Sequence, residues 1–218
     1  MQVRFILYLY LLGIVLMVGA FYYGRLTKPF RILTLLVGYT LCSEFTGRHL
    51  AFSIQNSNPV YHVLIIVEFN AYAMMFLYLL KHAHFSIVIW TSCIVVTLFS
   101  LIDTFWLQNI LTFPTYSLLV SHGVVVLLVL LLYNEMRGYP VQVNILKTSV
   151  FWLNNAILLY CAGDFLIWGI YNYFVGKHIN NDLISALSYG INILYYLFLG
   201  MAILINQNGK YRDHYGIE

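Results

Sequence analysis

Seven apolar stretches, each about 20 residues long, dominate this sequence. A helix of that length crosses the roughly 30 Å hydrocarbon core of a bilayer. Only 9% of the residues are charged and 61% are hydrophobic, whereas a soluble domain has about 25% charged and roughly 45–50% apolar residues. So few charges cannot cover a soluble body of this size. We therefore predict an all-α integral membrane protein, with residues 1–218 forming a single polytopic membrane domain.

The stretches predict a seven-transmembrane-helix bundle. The expected helices cover residues 5–24, 30–52, 60–80, 85–105, 114–134, 149–173 and 184–205. Pro29, Pro59 and Pro114 fall at helix starts, where a missing N–H leaves no hydrogen bond unmade, and none falls inside a stretch. The first stretch follows Arg4 and is too long for the hydrophobic region of a secretory signal. We expect it to be retained as the first helix.

The positions of Lys and Arg predict the orientation, because cytoplasmic loops collect these residues. The loops after helices 1, 3 and 5 and the C-terminal tail hold eight of them: Arg25, Lys28, Arg31, Lys81, Arg137, Lys147, Lys210 and Arg212. The opposite side holds three, which are Arg4, Arg48 and Lys177. This asymmetry predicts an N-terminus outside the cell and a C-terminus in the cytoplasm.

Several polar side chains lie inside the predicted helices, where a charge near mid-bilayer costs at least about 2.5–3.5 kcal/mol. Side chains this costly are expected to face the bundle interior and to find partners there. We predict that they form a polar cavity that binds a ligand. The candidate ligand-binding residues are Glu44, Arg48, Glu68, His122, Asp164 and Asn192.

The depths of five of these residues in the membrane support the prediction that they share one cavity. Glu44 and Asp164 lie in the second halves of helices 2 and 6, whereas Glu68, His122 and Asn192 lie in the first halves of helices 3, 5 and 7. Because successive helices run in opposite directions at 1.5 Å per residue, all five fall in one layer, slightly outside the bilayer midplane.

Each candidate also has a structural interpretation. Glu44 and Arg48 are four residues apart, so they could neutralise each other as a structural pair. Glu68 and Asp164 have no cation on their own helices and are the strongest functional candidates. His122 fits either helix packing or a role as ligand or proton carrier.

Other residues favour structural roles. We expect most of the 19 Tyr and 4 Trp residues to form interfacial belts, and His62 and Asp103 to lie near the outer membrane edge. Cys42, Cys93 and Cys161 each lie within an apolar stretch, which argues against disulfides and against a thiolate zinc site. We expect these cysteines to be small buried fillers.

Helices 1–3 and 5–7 show signs of a 3+1+3 pseudo-repeat. Residues 43–45 (Ser-Glu-Phe) correspond to residues 163–165 (Gly-Asp-Phe), and Glu68 corresponds to Asn192. Such repeats would be parallel, with helix 4 as the link, as in seven-helix sugar exporters. The chain lacks the Pro-Gln pair typical of those exporters, and its last helix lacks the lysine that would attach retinal in a rhodopsin. Helix number alone assigns no family.

Three function classes remain open. The leading hypothesis is a non-enzymatic sensor or membrane accessory subunit whose cavity binds a small polar, ionic or lipid-headgroup ligand. The second is an intramembrane lipid hydrolase or transferase that uses Glu68 or Asp164 as acid or base, with His122 and His62 holding a metal or water. The third is a small-solute or proton-coupled transporter. The sequence carries no phosphate-binding loop and no zinc-protease or serine-hydrolase motif, so it designates no catalytic residue.

We expect no resident metal or cofactor and no nucleic-acid partner. The expected partners are the lipid bilayer, a membrane or cytoplasmic protein that carries the output, and a second copy of the chain in a homo-oligomer. The expected location is the inner (plasma) membrane of a bacterium.

Overall fold

A computed structural model describes residues 2–138, 144–176 and 181–207. These residues form seven α-helices and no strand, which confirms the all-α prediction for this part of the chain. The helices are α1 (Gln2–Phe21), α2 (Lys28–Ser53), α3 (Asn58–Leu79), α4 (Ala83–Ile102), α5 (Thr115–Met136), α6 (Ser149–Gly176) and α7 (Asn181–Gln207). Lys177, Lys210 and Arg212, which contribute to the orientation prediction, lie outside the described residues.

Six of these helices are long and apolar enough to cross a membrane, so the chain forms a helical membrane bundle. The exception is α2. It has 26 residues, which is ample length, but it carries Arg31, Glu44 and Arg48 together with several hydroxyl side chains. The number of crossings therefore depends on whether α2 is shielded from lipid by its neighbours.

Proline marks the helix starts as the sequence predicts. Pro29 and Pro59 lie in the first turns of α2 and α3, and Pro114 directly precedes α5. At its far end α4 passes into a π-helical turn, Asp103–Leu107. This turn widens the helix just where the chain leaves it for α5.

Six helices form a closed ring. The main contacts join α1 to α2, α2 to α3, α3 to α5, α5 to α6, α6 to α7, and α7 back to α1. Helix α4 contacts α3 and α5, so it packs on the outside of the ring. The chain thus places two groups of three helices, α1–α3 and α5–α7, around a common centre, with α4 beside them.

The ring is tightly packed in the half where α1 ends. The largest fully buried side chains there include Phe30, Leu33, Phe76, Leu132 and Leu153. Close packing of this kind leaves no room for a ligand. Any internal space must therefore lie in the other half, where α1 begins.

Several tyrosines lie in the interior, although we expected most tyrosines to form interfacial belts. Tyr8, Tyr72, Tyr195 and Tyr196 are all at most 5% exposed. Their side chains are packed inside the ring of helices, and their hydroxyl groups need polar partners there. Trp106 is 78% exposed and fits a belt position.

His62 is buried near the start of α3, and its ring nitrogens lie 2.9 Å from the Thr104 hydroxyl and 3.0 Å from the Thr112 carbonyl. One expectation about the cysteines needs correction. Cys42 is exposed rather than a buried filler, although Cys93 and Cys161 are buried. The environment of a side chain at a helix surface depends on which neighbour covers it, which the local sequence does not specify.

Candidate functional site

The candidate site is a cavity of about 430 Å³ inside the half of the ring where α1 begins. All six ring helices contribute to its wall, together with Phe113 from the segment before α5, and none of the described lining residues belongs to α4. The volume lies within the range of roughly 300–1,000 Å³ that is common for small-molecule sites.

Four of the six predicted site residues line this cavity. They are Glu44 from α2, Glu68 from α3, Asp164 from α6 and Asn192 from α7. Four different helices therefore bring one carboxyl or amide group each to the same space. The role of these residues in ligand binding stays a prediction.

Glu44 is held by an aromatic group from α1. The Tyr8 hydroxyl donates a hydrogen bond of 3.1 Å to Glu44 Oε1. The Tyr8 ring in turn packs against the rings of Tyr189 and Tyr196 on α7, with centroids 6.4 and 5.7 Å away. This contact orients the Glu44 carboxyl towards the cavity that all four residues line.

Glu68 lies at the end of a hydrogen-bonded tyrosine chain. The Tyr72 hydroxyl donates to Glu68 Oε1 at 3.1 Å and lies 2.9 Å from the Tyr195 hydroxyl. Since Tyr72 has a single hydroxyl proton, Tyr195 must donate to Tyr72. The Tyr195 ring stacks on Tyr160 at 4.7 Å. Side chains of α3 and α7 thus hold the Glu68 carboxyl group in place.

Asp164 is the least satisfied group of the site. Its side chain is only 6% exposed, and its Oδ1 has no hydrogen-bond partner among the described residues. Buried carboxyl oxygens rarely lack a partner, because desolvation without compensation is costly. Asp164 also interacts electrostatically with Glu68. The Oδ1 atom therefore needs a proton, a water or a bound molecule.

Aromatic side chains surround these polar groups. Phe113 and Trp168 stack face to face with centroids 4.1 Å apart, and Tyr61 packs on Phe113 at 5.6 Å. All three line the cavity. Asn192 lines the same cavity, and its Nδ2 donates to the Ser188 carbonyl at 2.9 Å.

Arg48 and His122 lie outside the lining. Arg48 is exposed, and its guanidinium stands 5.2 Å over the ring of Phe5, a lining residue. Among the residues the structure describes, it forms no ion pair with Glu44. His122 is 2% exposed, its ring packs on Tyr160 at 5.3 Å, and its Nδ1 has no described partner.

The described lining residues include acidic side chains but no basic ones. Their ionisable groups other than tyrosine are the three carboxyls of Glu44, Glu68 and Asp164, and none of the described lining residues is Lys, Arg or His. Within the described ranges, no cluster of three His, Cys, Asp or Glu side chains is arranged to hold a metal ion. The cavity is therefore an acidic pocket with aromatic walls.

Sequence reasoning identified the carboxyl groups but missed the contribution of α1. Tyr8 and Phe5 line the cavity, although helix 1 carries no intramembrane charge to draw attention to it. Tyr189 and Tyr196 were also missed. One available signal was the spacing of Tyr189, Asn192 and Tyr196, which repeats every three or four residues and so marks one helix face.

Comparison with known proteins finds no match: no family model, no curated protein and no solved structure is similar to this chain.

Proposed function

We propose that this chain is a seven-crossing membrane protein that binds a small polar, ionic or lipid-headgroup ligand in its central cavity. It acts as a sensor or membrane accessory subunit, and a partner protein carries the output. The N-terminus faces outwards, so the cavity opens away from the cytoplasm of a bacterial inner membrane. The single observation that carries the proposal is a cavity of ligand size into which four helices bring Glu44, Glu68, Asp164 and Asn192.

The seventh crossing is supported by the position of α2. This helix packs between α1 and α3 in the ring. Glu44, whose carboxyl group would be costly to expose to lipid, lines the cavity and accepts a hydrogen bond from Tyr8. Arg48 lies in the last turns of α2, where a long basic side chain reaches the polar interface. A helix of this composition is tolerable in a membrane when its polar face is covered by other helices.

The first experiment asks whether a molecule occupies the cavity. The protein is extracted from native membranes into lipid nanodiscs and analysed by native mass spectrometry. We expect a small-molecule or lipid adduct that disappears in Ser188→Trp, where the large side chain fills the space beside Asn192. An adduct that persists in Ser188→Trp would place the ligand elsewhere and contradict the proposal.

The second experiment tests access and orientation with a thiol scan. The three native cysteines are replaced by alanine, and Ser188→Cys is treated with a membrane-impermeant thiol reagent in sealed vesicles. We expect labelling from the outside only. The control is Ser121→Cys, because Ser121 is 1% exposed and does not line the cavity. Equal labelling at both positions would show that reactivity does not report the cavity.

A carrier is the second candidate function. It is favoured by the arrangement of two three-helix groups, α1–α3 and α5–α7, around the cavity. Glu44 and Asp164, which correspond in the pseudo-repeat, both line this space, whereas Phe45 and Phe165 are 59% and 42% exposed on the outside. Uptake of the identified ligand into liposomes, abolished by Asp164→Asn, would favour a carrier over a sensor.

A further inference from the structure

The cavity combines the two features that proteins use to recognise organic ammonium groups. Its three carboxyl groups come from three different helices, and no described lining residue carries a positive charge. Aromatic rings, including Tyr61, Phe113 and Trp168, surround them. Ring faces attract cations, and they do so more strongly where water is excluded. An anionic ligand would instead face three carboxyls and no compensating cation.

The described partners of the carboxyl groups leave room for one more interaction. Tyr8 donates to Glu44, and Tyr72 donates to Glu68. The Asp164 side chain is more than nine-tenths buried, and its Oδ1 has no partner among the described residues. An ammonium group placed there would supply the missing donor and relieve the repulsion between ionised Asp164 and Glu68.

We propose, on the basis of the function suggested above, that the ligand is an organic ammonium ion, held between Asp164 and Glu68 and enclosed by the aromatic wall. The ammonium group belongs either to a free amine or to an amine-bearing lipid headgroup. Arg48 stands beside the rim residue Phe5, where it would meet the phosphate of such a headgroup.

The test uses purified protein in nanodiscs of phosphatidylglycerol, a lipid without an amine. Binding of tetramethylammonium, choline, ethanolamine and putrescine is measured by isothermal titration calorimetry. The control ligand is 3,3-dimethylbutan-1-ol, which has the shape of choline but no charge. We expect at least one ammonium compound to bind at millimolar concentration or below, and the neutral analogue to bind roughly 30-fold or more weakly than choline.

Charge-neutral variants then locate the site. Asp164→Asn and Glu68→Gln should each weaken ammonium binding roughly 30-fold or more, because a buried charge loses its partner. Glu135→Gln is the matched control, since Glu135 lies at the other end of the bundle beside Lys81 and His82. It should bind like wild type. Thermal unfolding of each variant verifies folding, and the comparison of choline with its neutral analogue in wild type is independent of any variant.

Two further arms identify the source of the ammonium group. If phosphatidylethanolamine in the nanodisc competes with the soluble amine, and Arg48→Ala relieves the competition, the source is a lipid headgroup. If the lipid has no effect, the source is a free amine. Both results support the proposal.

The proposal is overturned if none of the four compounds binds, or if choline binds and the neutral analogue binds equally well. It is also overturned if binding survives unchanged in both Asp164→Asn and Glu68→Gln. A neutral or anionic adduct in native mass spectrometry, lost in Ser188→Trp, would refute ammonium recognition but leave the proposed ligand-binding function intact.

Discussion

Helices α1 and α2 approach each other so closely at Gly19 that a methyl group there has no room. An added Cβ would lie 2.7 Å from Thr34 Oγ1 and 2.8 Å from Thr34 Cγ2. Thr34 cannot easily turn away, because its side chain is β-branched and its hydroxyl donates to the Phe30 carbonyl at 2.9 Å. Gly19→Ala must therefore push the helices apart or break this hydrogen bond.

The structure offers a matched control in the same helix. A Cβ at Gly13 would meet nothing within 4 Å, so Gly13→Ala should only gain the greater helix propensity of alanine, roughly 0.5–1 kcal/mol. Gly19→Ala gains the same amount but loses about 1–3 kcal/mol through overpacking. We expect the free energies of unfolding of the two variants to differ by about 1–3 kcal/mol, with Gly19→Ala the less stable.

The assay is equilibrium unfolding of the purified protein in mixed micelles, monitored by circular dichroism. The double variant Gly19→Ala/Thr34→Ala removes both clashing atoms and should recover most of the loss relative to Thr34→Ala alone. Equal stability of Gly13→Ala and Gly19→Ala would refute the proposed close contact. Failure of Thr34→Ala to rescue Gly19→Ala would show that another contact limits the approach of the helices.

Two other predictions concern buried hydrogen bonds. His62→Ala removes a buried imidazole together with its contacts to the Thr104 hydroxyl and the Thr112 carbonyl, so it should lower the free energy of unfolding by about 1–3 kcal/mol. His84→Ala, at an exposed ring, should have little effect, and equal losses would contradict the buried contact. Tyr72→Phe and Tyr195→Phe should each lower the free energy of unfolding. The double variant should lose less stability than the two single losses combined, because the two hydroxyls bond to each other. Strict additivity in the same unfolding assay would mean that the hydroxyls do not interact.

The polar residues of the site could be predicted from the sequence, because the free energy of placing a side chain in a membrane depends on its residue type. Glu44, Glu68, Asp164 and Asn192 are expensive wherever they lie in an apolar helix, so an inward position could be expected. Their common depth followed from counting residues along antiparallel helices. The structure places these four around one cavity.

The two predicted residues outside the lining show the limit of that reasoning. His122 has the right depth, but its ring lies behind Tyr160. Arg48 is on the same helix as Glu44 at a favourable spacing, yet it turns to the Phe5 ring instead. A spacing of four residues permits contact between two side chains, but the choice of partner depends on the neighbouring helix.

Hydropathy and proline placement alone determined that this chain is helical and where α2, α3 and α5 start, because transfer of a segment into lipid and the missing N–H of proline are local properties of the chain. Only the tertiary structure decided that α4 lies outside a ring of six helices and that tyrosines of α1, α3 and α7 secure the carboxyl groups. These outcomes depend on which side chains interlock across helices far apart in the sequence. Tyrosine in particular is equally suited to a membrane interface and to a buried hydrogen bond, so only its packed neighbours determine which role it takes.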